Sequence, residues 1–135
     1  MKAPKRALRL PASMEMHDSE PTDAQLDNID KFLNDNGVAV SLDGAHSIKY
    51  FRNAPAYFIN VRNTSSLHEA LQLLKKKVLK SHKPYSSYGL KHSLEDNMST
   101  LYLTNGECIM ACLLLGASVD FGPSLSIFLN PRIHF

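Results

Sequence analysis

Three groups of side chains in this 135-residue chain could do chemistry. His92, Glu95 and Asp96 are turn neighbours if their segment is helical, a spacing that lets a carboxylate orient an imidazole for proton transfer or contribute to a metal site. A complete metal site or a catalytic set needs a further ligand or a nucleophile, and no His-Glu-x-x-His pattern supplies one. No metal and no cofactor are therefore expected. The second group is basic and aromatic: Lys75, Lys76, Lys77, Lys80, Lys83 and Lys91 occur with no acid among them, beside Tyr85 and Tyr88. Lys76, Lys80, Lys83 and Lys91 facing one groove, with Tyr85 and Tyr88 as stacking platforms, would suit nucleic acid. Against that, Lys75, Lys76 and Lys77 point three ways on a helix, and lysines near a helix C-terminus also answer its dipole. The third group is Cys108 and Cys112. A thiol there is a nucleophile only at a surface with a basic partner; inside an apolar run both read as small core residues.

Charge is unevenly placed although the net value is only +2. Between Glu15 and Asp35 the acids Glu15, Asp18, Glu20, Asp23, Asp27, Asp30 and Asp35 face Lys31 alone. Asp23, Asp27, Asp30 and Asp35 lie on the outer side of a predicted helix, either as solvated surface or as an acidic docking face that competes with nucleic acid for a basic channel. Gly-rich phosphate loops, Cys-x-x-Cys pairs, Gly-x-Ser-x-Gly elbows and kinase or deaminase signatures do not occur. The balance is against an enzyme, with His92 as the centre of any site assembled from distant residues.

The elements that must carry these residues follow from caps and periods. Thr104 and Glu107 form a capping box, Gly116 can close the helix, and every residue from Cys108 to Leu115 is apolar. A helix without a polar face is buried, and one this short cannot cross a bilayer, which takes about 20 residues. This buried helix over residues 104–116 is the centre of the predicted fold. A second box, Thr22 with Gln25, opens a helix to about Asn36 with Leu26, Ile29 and Leu33 on one face, ending at Gly37. A period of two over Val38–Leu42, the Asp43-Gly44 turn, and β-rich runs at Ile48–Phe51 and Ala56–Val61 predict a three-stranded antiparallel meander. Ser66 with Glu69 predicts a third box and a helix to about Lys80, with Leu67, Ala70, Leu71, Leu74 and Val78 inward. A loop at Ser81–Ser86 precedes a helix from Ser86 or Ser87 to about Met98 with Leu90 and Leu94 inward. Alternation over Ser124–Leu129, bounded by Pro123 and Pro131, predicts a last strand pairing with the meander. The fold class is α+β, in the order α-β-β-β-α-α-α-β, with an antiparallel sheet packed on helices around the buried one. Residues 1–21 read as a flexible tail or an arm lying over a single domain of residues 22–135.

With two cysteines in one apolar run, no secretory hydrophobic region and no spanning segment, the expected compartment is a reducing cytosol, away from membrane. Ser87-Tyr88-Gly89-Leu90-Lys91-His92 with Glu95, then Tyr102-Leu103-Thr104-Asn105-Gly106-Glu107, Ile109, Ala111, Leu113-Leu114 and Gly116, resembles a group of small proteins of bacteriophages, prophages and plasmids. In that group a Lys-His-x-x-Glu helix precedes Tyr-x-Ser/Thr-Asn-Gly, an apolar helix, a Gly and a terminal strand. The likeness covers about the last third of the chain. Cys108 stands where an aromatic residue is usual, and the terminal strand lacks the group's Asn-Ala-x-Phe. The resemblance implies a mobile-element origin and no particular reaction. Together these features lead to the expectation of a non-enzymatic binding protein that docks on a host protein, of the anti-CRISPR or anti-restriction type. A nucleic-acid-binding regulator and an enzyme around His92 are the alternatives.

Overall fold

The computed structural model describes residues 7–16, 21–49, 65–77, 85–97, 102–121, 127–128 and 130–135. Strand β1 (Ala7–Leu8) and a 3-10 turn at Ala12–Met14 lead to helix α1 (Asp23–Asp35). A hairpin of β2 (Val38–Ser41) and β3 (Gly44–Ser47) follows, then α2 (Ser65–Lys77), β4 (Tyr85–Ser86) and α3 (Ser87–Glu95). The chain closes with α4 (Asn105–Leu114), β5 (Ser118–Asp120), β6 (Ile127–Phe128) and β7 (Arg132–His134). The molecule is α+β, and every strand pair is antiparallel.

Helix α4 occupies the place its sequence predicts. Thr104 accepts from the Glu107 N–H at 3.1 Å, while the Glu107 carboxylate accepts from the Thr104 N–H at 2.9 Å and from its hydroxyl at 2.8 Å. The box satisfies donors that a buried helix start would otherwise leave unpaired. All ten residues of α4 are buried, and α2, α3, β2, β3 and β5 pack against it. Gly116 ends the helix with φ 90°, and a Cβ there would lie 2.5 Å from a Glu15 carboxylate oxygen. Glycine is required by the backbone conformation, whereas the Glu15 carboxylate is the end of a flexible side chain that could move aside.

Cys108 and Cys112 are both free and fully enclosed, and burial pushes the Cys112 thiol well above its usual range, with the neighbouring Cys108 adding to the effect. Neither should react with a disulfide reagent in the native protein, and both should react once it is unfolded in denaturant. A thiol titrating at the rate of free cysteine under native conditions would contradict the enclosure of α4.

The rest of the fold departs from the predicted order in particular places. The strands form two sheets, one in the order β1-β5-β7-β4 and one in the order β2-β3-β6. The terminal strand does pair with the hairpin, Ala45 opposite Phe128 and His46 opposite Ile127. Pro131 does not end the β structure, because Arg132–His134 forms a further strand lying between β5 and β4. Ile48 and Lys49, predicted to be extended, are already helical. Ser66 is not a cap: it lies inside α2, and its hydroxyl donates to the Tyr102 carbonyl at 3.1 Å. Helix α3 stops at Glu95 with Asp96 as its C-cap rather than reaching Met98. Tyr85 and Ser86, read as loop, form β4 beside β7. The predicted strand Ala56–Val61, with Val78, Lys80 and Lys83, lies outside the described residues.

Of the N-terminal segment, residues 7–16 lie against the domain. Leu8 and Leu10 are buried, β1 pairs with β5, and the Met16 N–H donates to the Leu114 carbonyl at 2.8 Å. This last bond occupies one of the carbonyls that the end of α4 leaves open.

Candidate functional site

Helix α3 presents two faces of different character. Leu90 and Leu94 face the core, and the Ser86 hydroxyl caps the helix by accepting from the Gly89 N–H at 3.3 Å. Tyr88, Lys91, His92 and Glu95 follow the i, i+3, i+4, i+7 spacing and so share the other face. Lys91 Nζ donates to Glu95 Oε1 at 2.9 Å and lies 5.6 Å from the Tyr88 ring centroid and 5.4 Å from that of Tyr102. The Tyr88 and His92 rings meet edge to face with centroids 4.4 Å apart, and His92 Nδ1 lies 3.4 Å from the same carboxylate oxygen.

Tyr102 is brought to this face by the backbone that carries it. The second oxygen of Glu95 accepts from the Leu103 N–H at 3.0 Å, and Ser66 holds the Tyr102 carbonyl. The connection into α4 is thereby clamped between α2 and α3. Lys91 and Glu95 are largely buried, whereas Tyr88 is 52% exposed and Tyr102 64%. These two tyrosines are the large hydrophobic residues left exposed among the described residues. A lysine cation against two aromatic faces, neutralised by a carboxylate, fixes the rings without presenting net charge.

The Glu95 carboxyl is held below its usual range, chiefly by the Leu103 N–H and further by Lys91 and His92, while desolvation acts the other way. Because its folded value lies below the ordinary carboxylate value of 4.5, its stabilisation is present above that pH and is lost as pH falls through the folded value.

The residues singled out from sequence are distributed unequally around this face. Tyr88 and Lys91 belong to it, but Lys91 is buried and its charge is directed inward to Glu95. Tyr85 is half-buried and packs on the core, Lys76 is exposed on α2, and Lys80 and Lys83 lie outside the described residues. Asp96 caps α3 and does not join His92 and Glu95. Among the described residues no group of three or more His, Cys, Asp or Glu side chains could hold a metal ion. Of the acidic residues on α1, the helical period places Asp23, Asp27 and Asp30 on one flank. Asp35 falls on the other, in a groove of about 360 Å³ that it lines with Met14, Met16, Ile29 and Phe32.

Tyr102 was not among the candidate site residues in the sequence. The signal was present in its position before the Thr104 cap, but a single aromatic in a connection shows no period. The same is true of a second polar pair, Ser41 and His46. Val38, Val40 and Ala45 face the core shared with α4, so the two-residue period turns Ser41 and His46 to the opposite side of the hairpin. Both are buried, with Ser41 Oγ 2.8 Å from His46 Nε2 and accepting from the Asp43 N–H at 3.3 Å. The Asp43 and Leu42 carbonyls of this turn accept in their turn from Asn105 Nδ2 and the Gly106 N–H, which docks the hairpin on the start of α4.

Burial lowers the His46 pKa from the ordinary imidazole value of 6.5, with the Asp43 charge opposing the shift in part. The neutral imidazole therefore favours folding fully above pH 6.5, and that contribution is lost as pH falls, because unfolded chains take up a proton that the folded state resists. The urea midpoint should decline as pH is lowered from about 7 to about 5, and His46→Gln should flatten that decline. An unchanged slope in the variant would assign the decline to other groups.

Comparison with known protein families, curated proteins and solved structures finds no match to this chain. Fold and site define an α+β domain with a rigid aromatic patch built on α3 and on the connection into α4.

Proposed function

We propose that this chain is a small non-enzymatic protein that docks on another protein through the Tyr88–Tyr102 patch. The observation that carries this reading is the exposure of both rings on a support whose charges are internally matched. Tyrosine supplies a large contact area at low conformational entropy cost and is enriched at binding hot spots. The alternative of a nucleic-acid surface is weakened by Lys91, whose buried cation is engaged by Glu95 rather than turned outward. The partner proposed is a host protein, with a nucleic-acid-handling defence complex the type that the likeness to mobile-element proteins implies. The proposed compartment is the cytosol, consistent with two free enclosed thiols; no described helix is long and apolar enough to cross a membrane.

The experiment is capture from host lysate by the immobilised chain, beside a Tyr88→Ser/Tyr102→Ser double variant. A stoichiometric protein bound by the native chain and lost by the variant is the expected result. Capture that ignores the double substitution, or no stoichiometric partner at all, overturns it.

A further inference from the structure

We propose that the groove between the N-terminal arm and α1, which shares no residue with the Tyr88–Tyr102 patch, binds a free α-amino acid with an apolar side chain. The groove holds about 360 Å³, at the low end of the roughly 300–1,000 Å³ usual for ligand sites, and so suits a small molecule. Its lining changes character from one edge to the other. Met14 and Met16 of the arm are partly buried against the core and form an apolar wall, and Ile29 and Phe32 of α1 continue it as a floor, Ile29 being 2% exposed. The bond from the Met16 N–H to the Leu114 carbonyl holds the thioether wall in place. Asn28, Lys31 and Asp35 follow the i, i+3, i+7 spacing and form the polar edge together, on the side of α1 turned away from its buried face. Lys31 and Asp35 are both exposed, and no hydrogen bond or ion pair joins either side chain to another described residue.

These two charges select the chemistry of the occupant. A carboxylate or phosphate that meets Lys31 also meets Asp35, and an amine that meets Asp35 also meets Lys31, so a ligand with a single charge is repelled by one of the pair. Lys31 and Asp35 stand one helical turn apart, which leaves about 5–6 Å between their Cβ atoms. An amino acid carries its ammonium and its carboxylate on one carbon and answers both within that span. A peptide separates its charged termini along its length, and a neutral apolar molecule gains nothing from either residue. The side chain of the amino acid then lies across Ile29 and Phe32 against two thioethers, whose flexibility accommodates different apolar shapes.

The test titrates the full chain with L-leucine and follows amide chemical shifts. Glycine, isocaproate and isoamylamine are the comparisons, and the last two are leucine without its ammonium and without its carboxylate. Saturable leucine binding with a Kd of about 1 mM or tighter is expected, with the largest shifts at Met14, Met16, Phe32 and Asp35. Isocaproate and isoamylamine should each bind about fivefold or more weakly, the scale of one solvent-facing ion pair, and glycine should bind more weakly still. Asp35→Asn should weaken leucine while strengthening isocaproate, and Lys31→Met should weaken leucine while strengthening isoamylamine. A substitution that merely loosened the groove would move all the ligands in one direction. Both residues are exposed, and circular dichroism verifies that each variant is folded. The proposal is overturned by leucine that shows no saturation up to about 10 mM, by glycine or either analogue binding as tightly as leucine, or by shifts centred outside the groove. The Tyr88→Ser/Tyr102→Ser variant should bind leucine like the native chain, so loss of docking and loss of this site are separate results.

Discussion

Leu113→Ala should lower the unfolding free energy by about 2–5 kcal/mol, the range found when a buried leucine leaves a cavity its surroundings only partly fill. Leu113 has no exposed surface, and its helix is packed by α2, α3, β2, β3 and β5. Neighbours on several sides restrict collapse into the space, which favours the upper half of the range. Against the roughly 5–15 kcal/mol typical of a domain, one such substitution removes a large share of total stability. Gln72→Ala, on the exposed side of α2, supplies the contrast and should change stability by no more than about 0.5 kcal/mol. Urea denaturation of both variants at pH 7 makes the comparison. A Leu113→Ala loss below about 1 kcal/mol would mean that α4 is not enclosed as described.

The second large effect is expected at Glu95, and it is asymmetric across the ion pair. Glu95→Ala removes the acceptor of the Leu103 N–H and strands Lys91, whose side chain is only 10% exposed, without a counter-charge. Breaking a buried pair from one side costs about 3–5 kcal/mol, and the residual exposure here reduces that to about 2–4 kcal/mol. Lys91→Met leaves the Leu103 bond intact and fills similar space with an apolar chain lying against two aromatic rings, so its effect should stay below about 1.5 kcal/mol. The double variant Lys91→Met/Glu95→Ala should be less destabilised than Glu95→Ala alone, because no unpaired cation remains. Equal losses for the two single variants would show that the pair is held mainly by solvent-exposed contacts. The Lys-His-x-x-Glu pattern is on this account architectural: Glu95 joins the end of α3 to the entry of α4, and the tyrosines it steadies are what a partner would meet.

Local rules read α1 and α4 well. The Thr22–Gln25 and Thr104–Glu107 boxes both form, and Gly37 and Gly116 both take the positive φ that lets a chain leave a helix. Those signals lie within four residues of the hydrogen bonds they predict, so no distant partner is needed to express them. The Ser66–Glu69 pattern met the same rule and failed, since α2 begins one residue earlier at Ser65 and a carbonyl 36 residues away engages the Ser66 hydroxyl.

Strands of two or three residues, such as β1, β4 and β7, are too short to show a period. Their extended shape depends on partners remote in the chain: Ala7 lies opposite Asp120, and Tyr85 opposite Ile133. The candidate patch divides in the same way. Tyr88, Lys91, His92 and Glu95 are neighbours by helical spacing, although the sequence reading joins only His92 with Glu95 and sets Tyr88 and Lys91 in a separate basic group, whereas Tyr102 joins them because Glu95 captures the Leu103 N–H across a turn of chain.

By itself, then, the sequence determined where α1 and α4 begin and end and that α4 must be enclosed, because capping and hydrophobic burial are written in residue type and short spacing. Tertiary structure alone decided that Lys91 turns inward, that Tyr102 stands beside Tyr88, and that two sheets form in place of one. Each of those outcomes depends on which distant backbone group or charge is within hydrogen-bonding reach, a quantity that exists only once the chain has folded.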